Sequence, residues 1–429
     1  MVLHRIKNNL LARNTLWTFL GMGSRIGIQA VYFVIIARAL GSEGYGSFVG
    51  VAALVAILAP YASLGTGNLI IKHVSRDPGV FRRYWGNALA MTLFLGGGLV
   101  VLVLVVSRFL LPSAVPTTLI VTVSLSDIVF ARMLDVSSQA FQGFQRMERV
   151  ALLQVLFSIS RLGAALGLLF IGGSNSPEEW GWLYLLSTAV SALIAMFLVC
   201  KELGFPGLDL SSLRSEVKEG FYFAVSLSAQ GIHNDIDKTM LARLSTLQAA
   251  GIYAAAYRII DVAFAPARSL IYASYARFFQ HGANGINGSF NYAKKLLPIA
   301  GGYGLFAGCV LFVTAPILPY VLGDDYRVAV EAIRWLALIP LIRVFQYFGA
   351  NVLTGAGYQG IRSLMQVSVA VFNGIINLYL IPAYSWQGAA VASLVSDGLL
   401  ALVVWGAVWH YRNISTSIGT ISEGKSIAD

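Results

Sequence analysis

Residues 87–107 read NALAMTLFLGGGLVVLVLVVS, an apolar run with no charged side chain between the pair Arg82-Arg83 and Arg108. About 20 helical residues cross the hydrocarbon core of a bilayer. No water reaches backbone N–H and C=O groups there, so such a run must close its hydrogen bonds within a helix. Working outward in both directions, the same pattern recurs until twelve spans are placed: 14–37, 47–71, 87–107, 115–138, 150–171, 180–200, 221–242, 250–272, 296–319, 332–353, 363–382 and 388–409. Composition agrees, with 57% hydrophobic and 12% charged residues, far from the balance of a soluble domain. The sequence predicts an all-α integral membrane protein with 12 transmembrane helices. The short segments between spans leave no room for a soluble catalytic domain. The first span is too long for a signal-peptide core and lacks a small-residue cleavage site, so it is expected to stay in the mature protein.

Orientation follows from Lys and Arg, which are retained on the cytoplasmic side of short loops. With Met1 inside, most of the 30 basic residues fall in cytoplasmic segments, and only Arg38, Arg108, Arg243 and Arg327 fall outside. Both termini are therefore expected in the cytoplasm. The net charge of +10 is scattered over these flanks, a pattern that points to anionic membrane lipids and away from nucleic acid. An amphipathic start, Val2, Leu3, Ile6 and Leu10 with Arg5, Lys7 and Arg13, suits the inner leaflet surface. Cys200 and Cys309 form neither a disulfide framework nor a zinc motif.

The chain also repeats itself after about 205 residues. Ile36-Ala37-Arg38 with Gly46-Ser47-Phe48 matches Leu241-Ala242-Arg243 with Gly251-Ile252-Tyr253 at the same internal spacing. Ala59-Pro60-Tyr61-Ala62-Ser63-Leu64 returns as Ala265-Pro266-Ala267-Arg268-Ser269-Leu270, and Gly143, Gln154 and Val155 as Gly355, Gln366 and Val367. Two parallel six-helix lobes are expected, 1–200 and 221–412, with a cytoplasmic linker at 201–220 containing Gly204, Pro206 and Gly207, and a tail at 413–429. Duplicated bundles of this kind place a substrate cavity between their halves and rock one half against the other. Pro60 and Pro266, inside the second and eighth spans, remove backbone donors and are either hinges of that motion or static bends.

Charges within spans are expensive and normally face the bundle interior. Here they are Arg25, Asp127, Arg132, Asp135, Arg161, Asp235, Asp237, Lys238, Arg258, Asp261, Arg268, Arg343 and Asp397. They assign spans 1, 4, 5, 7, 8, 10 and 12 to a shared polar space. Arg132 with Asp135, Asp235 with Lys238, and Arg258 with Asp261 are spaced to pair on one helix face. Arg25, Arg161 and Arg343 have no opposite charge within four residues and need a partner from another helix or from a substrate. Arginine keeps its charge and matches phosphate oxygens with a planar fork, so these residues point to a phosphate-bearing substrate, with interhelical salt bridges to Asp127 or Asp397 as the alternative. Arg25 and Arg258 come first as its contacts, then Arg161, Arg343 and Lys238. Buried carboxylates can titrate near neutrality, which makes Asp127, Asp237 and Asp397 candidates for ion coupling. Trp17, Tyr32, Tyr222, Tyr257, Tyr272 and Tyr347 either stack on a sugar ring or simply pack. His233 near Asp235 and Asp237 lacks a second histidine cluster, so no metal, cofactor or catalytic set is expected.

The segments Asn14-Thr15-Leu16-Trp17, 36–46 (IARALGSEGYG), 236–242 (IDKTMLA) and 251–258 (GIYAAAYR) resemble those of bacterial polysaccharide-repeat flippases. These are the O-antigen Wzx type of the multidrug/oligosaccharidyl-lipid/polysaccharide exporter superfamily, and the likeness covers nearly the whole chain. It implies a flippase of the bacterial inner membrane that moves an undecaprenyl-pyrophosphate-linked oligosaccharide to the outer leaflet by alternating access. It further implies a cationic central cavity, suited here by Arg25 and Arg258, and a polysaccharide polymerase and chain-length machinery as partners. Lipid II flippases of the superfamily carry two further C-terminal helices, which this sequence lacks. Two rival readings stand beside it. A multidrug/cation antiporter of the same superfamily would favour a cavity of carboxylates and aromatics. A membrane-embedded polysaccharide polymerase or glycosyltransferase would need a large external loop, where residues 320–331 offer only Asp324, Asp325, Arg327 and Glu331.

Overall fold

The computed structural model describes residues 10–171, 175–209, 235–283 and 285–425, with positions 217, 221, 224 and 228; side chains are described between Gly23 and Ile414, Ala276 excepted. Every described element is helical. Helix α1, Leu10–Ser63, holds the first expected span and the greater part of the second, and turns between them at Gly41 (φ 66°, ψ 179°), a conformation open to glycine and closed to most side chains. Left-handed Leu64 and Gly65 then precede α2, Thr66–Val74. Next come α3, Phe81–Leu110, and the pair α4, Thr117–Ser124, and α5, Ala131–Gly143, joined by a π-helical turn at Leu125–Phe130. Helix α6 is Met147–Ile171. Helix α7, Pro177–Glu202, starts on a capping box in which Ser176 and Glu179 bond each other's backbone N–H, satisfying donors a helix start leaves open.

The described part of α8 covers residues 235–244. After it follow α9, Leu247–Gly282, α10, Gly285–Thr314, and α11, Ala329–Leu336. Helix α12, Ile339–Gly355, and α13, Gln359–Lys425, complete the chain. Pro340 opens α12, where a ring without an N–H is best tolerated, and so the tenth expected span is split. Among the described residues, six stretches are long and apolar enough to cross a membrane: Gly23–Ser63, Pro78–Leu110, Met147–Phe170, Pro177–Glu202, Gly285–Leu322 and Gln359–Ile414. The first and last each contain a break, at Gly41 and Ser385; the last contains the expected spans 363–382 and 388–409, and the first overlaps 14–37 and 47–71 in part. The expected spans 115–138, 250–272 and 332–353 are helical as well but carry charges or interruptions. The span at 221–242 lies mostly outside the described residues.

The prolines behave differently in the two repeats. Pro60 is followed by the helix end at Ser63, whereas α9 runs on from Pro266 to Gly282. Helix α6 leaves Ile159, Leu166 and Phe170 exposed while Arg161 is buried on its other face.

Two compact units result, Met1–Gly251 and Ile252–Asp429. Within the first unit, Ser228, Thr239, Leu247 and Gly251 pack on α1. Ser228 Oγ donates to the Ile57 carbonyl at 2.7 Å and Thr239 Oγ1 to that of Gly50 at 3.2 Å. A Cβ on Gly46 would overlap the Leu247 carbonyl, and one on Gly251 would overlap that of Ser42. These two glycines are the matched positions of the repeat, and their contact is reciprocal.

Duplication is visible within each unit too. A Cβ on Gly143 would lie 3.4 Å from Val74 Cβ and 3.5 Å from the Ile70 carbonyl, while its counterpart Gly355 abuts the Phe278 carbonyl. His73 stacks on Tyr84 with centroids 4.7 Å apart, and His281 on Tyr292 at 4.6 Å. The second unit closes around Phe264, Phe278, Val344, Phe348 and Val404.

Residues 203–209 are strapped to the start of α3. Gly207 N donates to the Arg82 carbonyl at 2.8 Å, and buried Asn87 exchanges two bonds with the Asp209 backbone at 2.9 and 3.0 Å. Gly86 leaves room for Gly207 to cross. Asn87→Leu keeps the volume and removes both bonds, so we expect a loss of about 1–3 kcal/mol, read as a lower melting temperature in detergent and faster proteolysis between Leu203 and Asp209.

Candidate functional site

Two charged clusters form inside the helix bundles, one in each unit. In the first, the π turn carries Ser126 and Asp127 to face α6 and α7; such one-turn widenings recur at functional sites. Asp127 Oδ1 accepts from Arg161 Nη2 at 3.2 Å and Oδ2 from the Tyr184 hydroxyl at 2.9 Å. Ser126 Oγ bonds Thr188 Oγ1 at 2.8 Å. The guanidinium carbon of Arg161 lies 3.2 Å from the Tyr184 ring centroid and 4.8 Å from that of Phe157. The side chains of Arg161 and Asp127 are 10% and 23% exposed, so this pair is largely withdrawn from solvent.

In the second unit, Arg343 of α12 lies between Asp261 of α9 at 2.9 Å and Asp397 of α13 at 3.5 Å. Arg268 shares Asp261 from two turns along α9, at 3.3 Å. Tyr257 stands 5.5 Å from the Arg343 guanidinium. One cation thus ties three helices together, and the set is balanced at two arginines and two aspartates. The first cluster balances likewise at one of each.

Arg161 and Arg343, which by sequence need either another helix or a substrate, therefore meet carboxylates on other helices. Arg25 is exposed, with no ion-pair partner among the described residues, and Arg258 is half-buried on α9. Arg25 brings positive charge beyond the balanced sets. Lys238 pairs with Asp235 within α8, as its spacing predicts, and Arg132 pairs with Asp135 at 2.7 Å. Asp261 pairs with Arg343 and Arg268. Asp237 is buried and accepts the Lys238 backbone N–H at 2.8 Å.

The aromatic candidates mostly pack. Tyr32 lies 5.8 Å from Trp180, Tyr257 4.8 Å from Tyr253, and Tyr347 5.9 Å from Phe264; Tyr272 is exposed. His233, Tyr222 and the Trp17 side chain lie outside the described residues. Among the described residues no group of three or more His, Cys, Asp or Glu could hold a metal ion.

Sequence reasoning passed over Tyr184, Ser126 and Thr188, which become visible only when α4, α6 and α7 are assembled. It also passed over the two His–Tyr stacks. A signal for those existed, since the same interval separates His73 from His281 and Tyr84 from Tyr292.

Comparison with known proteins follows from this arrangement. A family model described as polysaccharide biosynthesis protein matches residues 11–274. The chain is 22% identical over 396 residues to the probable low-salt glycan biosynthesis flippase Agl15 of Haloferax volcanii, covering 90% of this chain and 81% of that protein. Among solved structures it resembles the inward-facing conformation of a multidrug resistance MATE family transporter of the MOP superfamily, with a TM-score of 0.73 and 15% identity over 93% of this chain and 98% of that one. A MOP superfamily transporter from Pyrococcus furiosus, described as having a binding pocket of reversed polarity, gives a TM-score of 0.61 at 16% identity, over 93% and 96% of the two chains. The fold is shared with these transporters.

Proposed function

The chain belongs to the polysaccharide biosynthesis protein family, and from that membership we propose that it is a flippase for a lipid-linked oligosaccharide. In this reading twelve helices in two six-helix lobes, 1–200 and 221–412, surround a central cavity, with both termini in the cytoplasm. The substrate is an undecaprenyl-pyrophosphate-linked repeat unit of O-antigen or exopolysaccharide type, and the membrane is the bacterial inner membrane. A hydrated glycan head cannot enter hydrocarbon without losing its hydrogen bonds. A charged cavity replaces that water while the polyprenyl tail stays in lipid, and alternating exposure of the cavity carries the head across. No bond is made or broken.

The family match over residues 11–274 carries this reading, and the glycan flippase relative supports it. The reciprocal fit of Gly46 and Gly251 supports the duplication on which a two-lobe mechanism depends. Arg25 and Arg258 are assigned to the pyrophosphate, with Lys238 behind them. Arg161 and Arg343, each held against carboxylates, set the helices in place, and Asp127, Asp237 and Asp397 are assigned to ion coupling. A polysaccharide polymerase with its chain-length machinery would take up the product.

Replacing Arg25 and Arg258 by Ala and by Lys, then measuring lipid-linked oligosaccharide in the outer leaflet, tests the assignment. Loss of about tenfold or more with Ala and partial recovery with Lys is expected, given what a charge-assisted phosphate contact contributes. Unchanged flux in all four variants would refute it. The likeness to multidrug transporters favours one alternative, cation antiport. Under that reading, cells lacking the protein would accumulate cationic dyes while outer-leaflet glycolipid stayed constant.

A further inference from the structure

The second unit carries a groove of about 260 Å³ between α10 and the α11–α12 pair. One wall is Leu305, Cys309 and Phe312, the other Arg334, Leu338 and Leu341. Each set has the spacing that lines up side chains along one helix face. The floor is where the helices cross most closely. A Cβ on Gly308 would strike the Ala337 carbonyl, and one on Gly304 would lie 3.0 Å from the Leu341 Cα. Glycine lets the two backbones meet there. Leu305, Phe312 and Leu338 are about half exposed, at 54%, 52% and 51%, so the groove opens outward from an apolar span toward the place of lipid chains.

One charge interrupts it. The Arg334 guanidinium sits 5.3 Å from the Phe312 ring centroid, at the end of the groove where α10 finishes at Thr314. Among the described residues it has no carboxylate partner. Glu331, one turn before it, accepts instead from Gln387 at 3.4 Å, and Asp324 pairs with Arg327 at 3.0 Å. An apolar channel ending in a cation without a carboxylate contact matches a molecule with one anionic head and a hydrocarbon chain. A single arginine balances the single charge of a phosphodiester; a pyrophosphate bearing a glycan would call for more than one cation.

We propose that this groove binds one anionic glycerophospholipid of the surrounding bilayer, its phosphodiester on Arg334 and an acyl chain along Leu305, Cys309 and Leu338. The site is independent of the flipped substrate. It would fasten α10 to α11 from the lipid side, where Gly304 and Gly308 provide no side chains to do so.

The test reconstitutes the full chain in nanodiscs of mixed phosphatidylglycerol and phosphatidylcholine and counts retained lipids by native mass spectrometry. Wild type should retain phosphatidylglycerol in excess. Arg334→Gln should lower that excess about fivefold, the scale of one basic residue at a membrane surface, and Arg334→Lys should restore much of it. Leu338→Trp, filling the groove, should reduce retention of both lipids, and Arg327→Gln, outside the groove, should change neither. Equal phosphatidylglycerol excess in wild type, Arg334→Gln and Leu338→Trp would overturn the site. Displacement of phosphatidylglycerol by an equimolar polyprenyl phosphate would overturn the choice of occupant. Melting temperatures of the variants, expected to match wild type because Arg334 and Leu338 are exposed, separate lost binding from lost folding.

Discussion

Gly251→Val is expected to destabilise the protein by about 3 kcal/mol, the upper part of the range for overpacking a well-filled contact. A side chain there meets the Ser42 carbonyl, which is backbone held in α1 and cannot rotate away as a flexible side chain would. Gly46→Val meets the Leu247 carbonyl in the same manner and should cost a similar amount. Since both substitutions wedge open one crossing, the double variant should lose clearly less than the sum of the two singles. Gly97→Val on α3 is the control, because nothing lies within 4 Å of a Cβ at that position; a change within about 0.5 kcal/mol is expected. Thermal loss of monodisperse protein in detergent measures all four. A Gly251→Val variant as stable as Gly97→Val would mean that the matched glycines of the repeat do not touch.

The repeat that relates these two glycines is also where the sequence spoke most clearly. Apolar runs such as 87–107 must become helices for want of water, and Gly41 and Ser385 mark breaks that length alone requires between consecutive spans. The interval relating Gly46 to Gly251 shows that two segments are equivalent; it does not show that they touch, since equivalence fixes no distance. Ionic partners were most legible when local. Asp235 with Lys238 and Arg132 with Asp135 follow from helix spacing, and both pairs form. Arg161 and Arg343 signalled a missing partner, with Asp127 and Asp397 as candidate acids on other helices, but which acid each meets depends on how α6 faces the π turn and how α12 faces α9 and α13. Neither rotation is written in hydropathy. The π turn at Leu125–Phe130 is a further case: one extra residue in a turn changes which face Asp127 occupies and leaves the apolar pattern unaltered.

Arg343→Met is expected to cost about 3–5 kcal/mol, the penalty for stripping a partner from a buried charge. Asp397 is 5% exposed and would lose its guanidinium, while Asp261 would keep Arg268. Asp397→Asn should cost less, because Arg343 retains Asp261 at 2.9 Å. Arg343→Lys should fall between, since an ammonium lacks the planar fork that faces two carboxylates at once. The double variant Arg343→Met with Asp397→Leu removes both charges together and should recover most of the lost stability, as apolar replacement of a whole buried pair often does. Its glycolipid flux, read beside that of Asp397→Asn because Asp397 is also assigned to ion coupling, decides the role of Arg343. Recovery of stability and flux together makes the residue scaffolding that holds α9, α12 and α13 in place. Stability regained without flux, where Asp397→Asn alone keeps its flux, would place the guanidinium on the substrate instead, and the division of labour between Arg343 and Arg258 would have to be reversed.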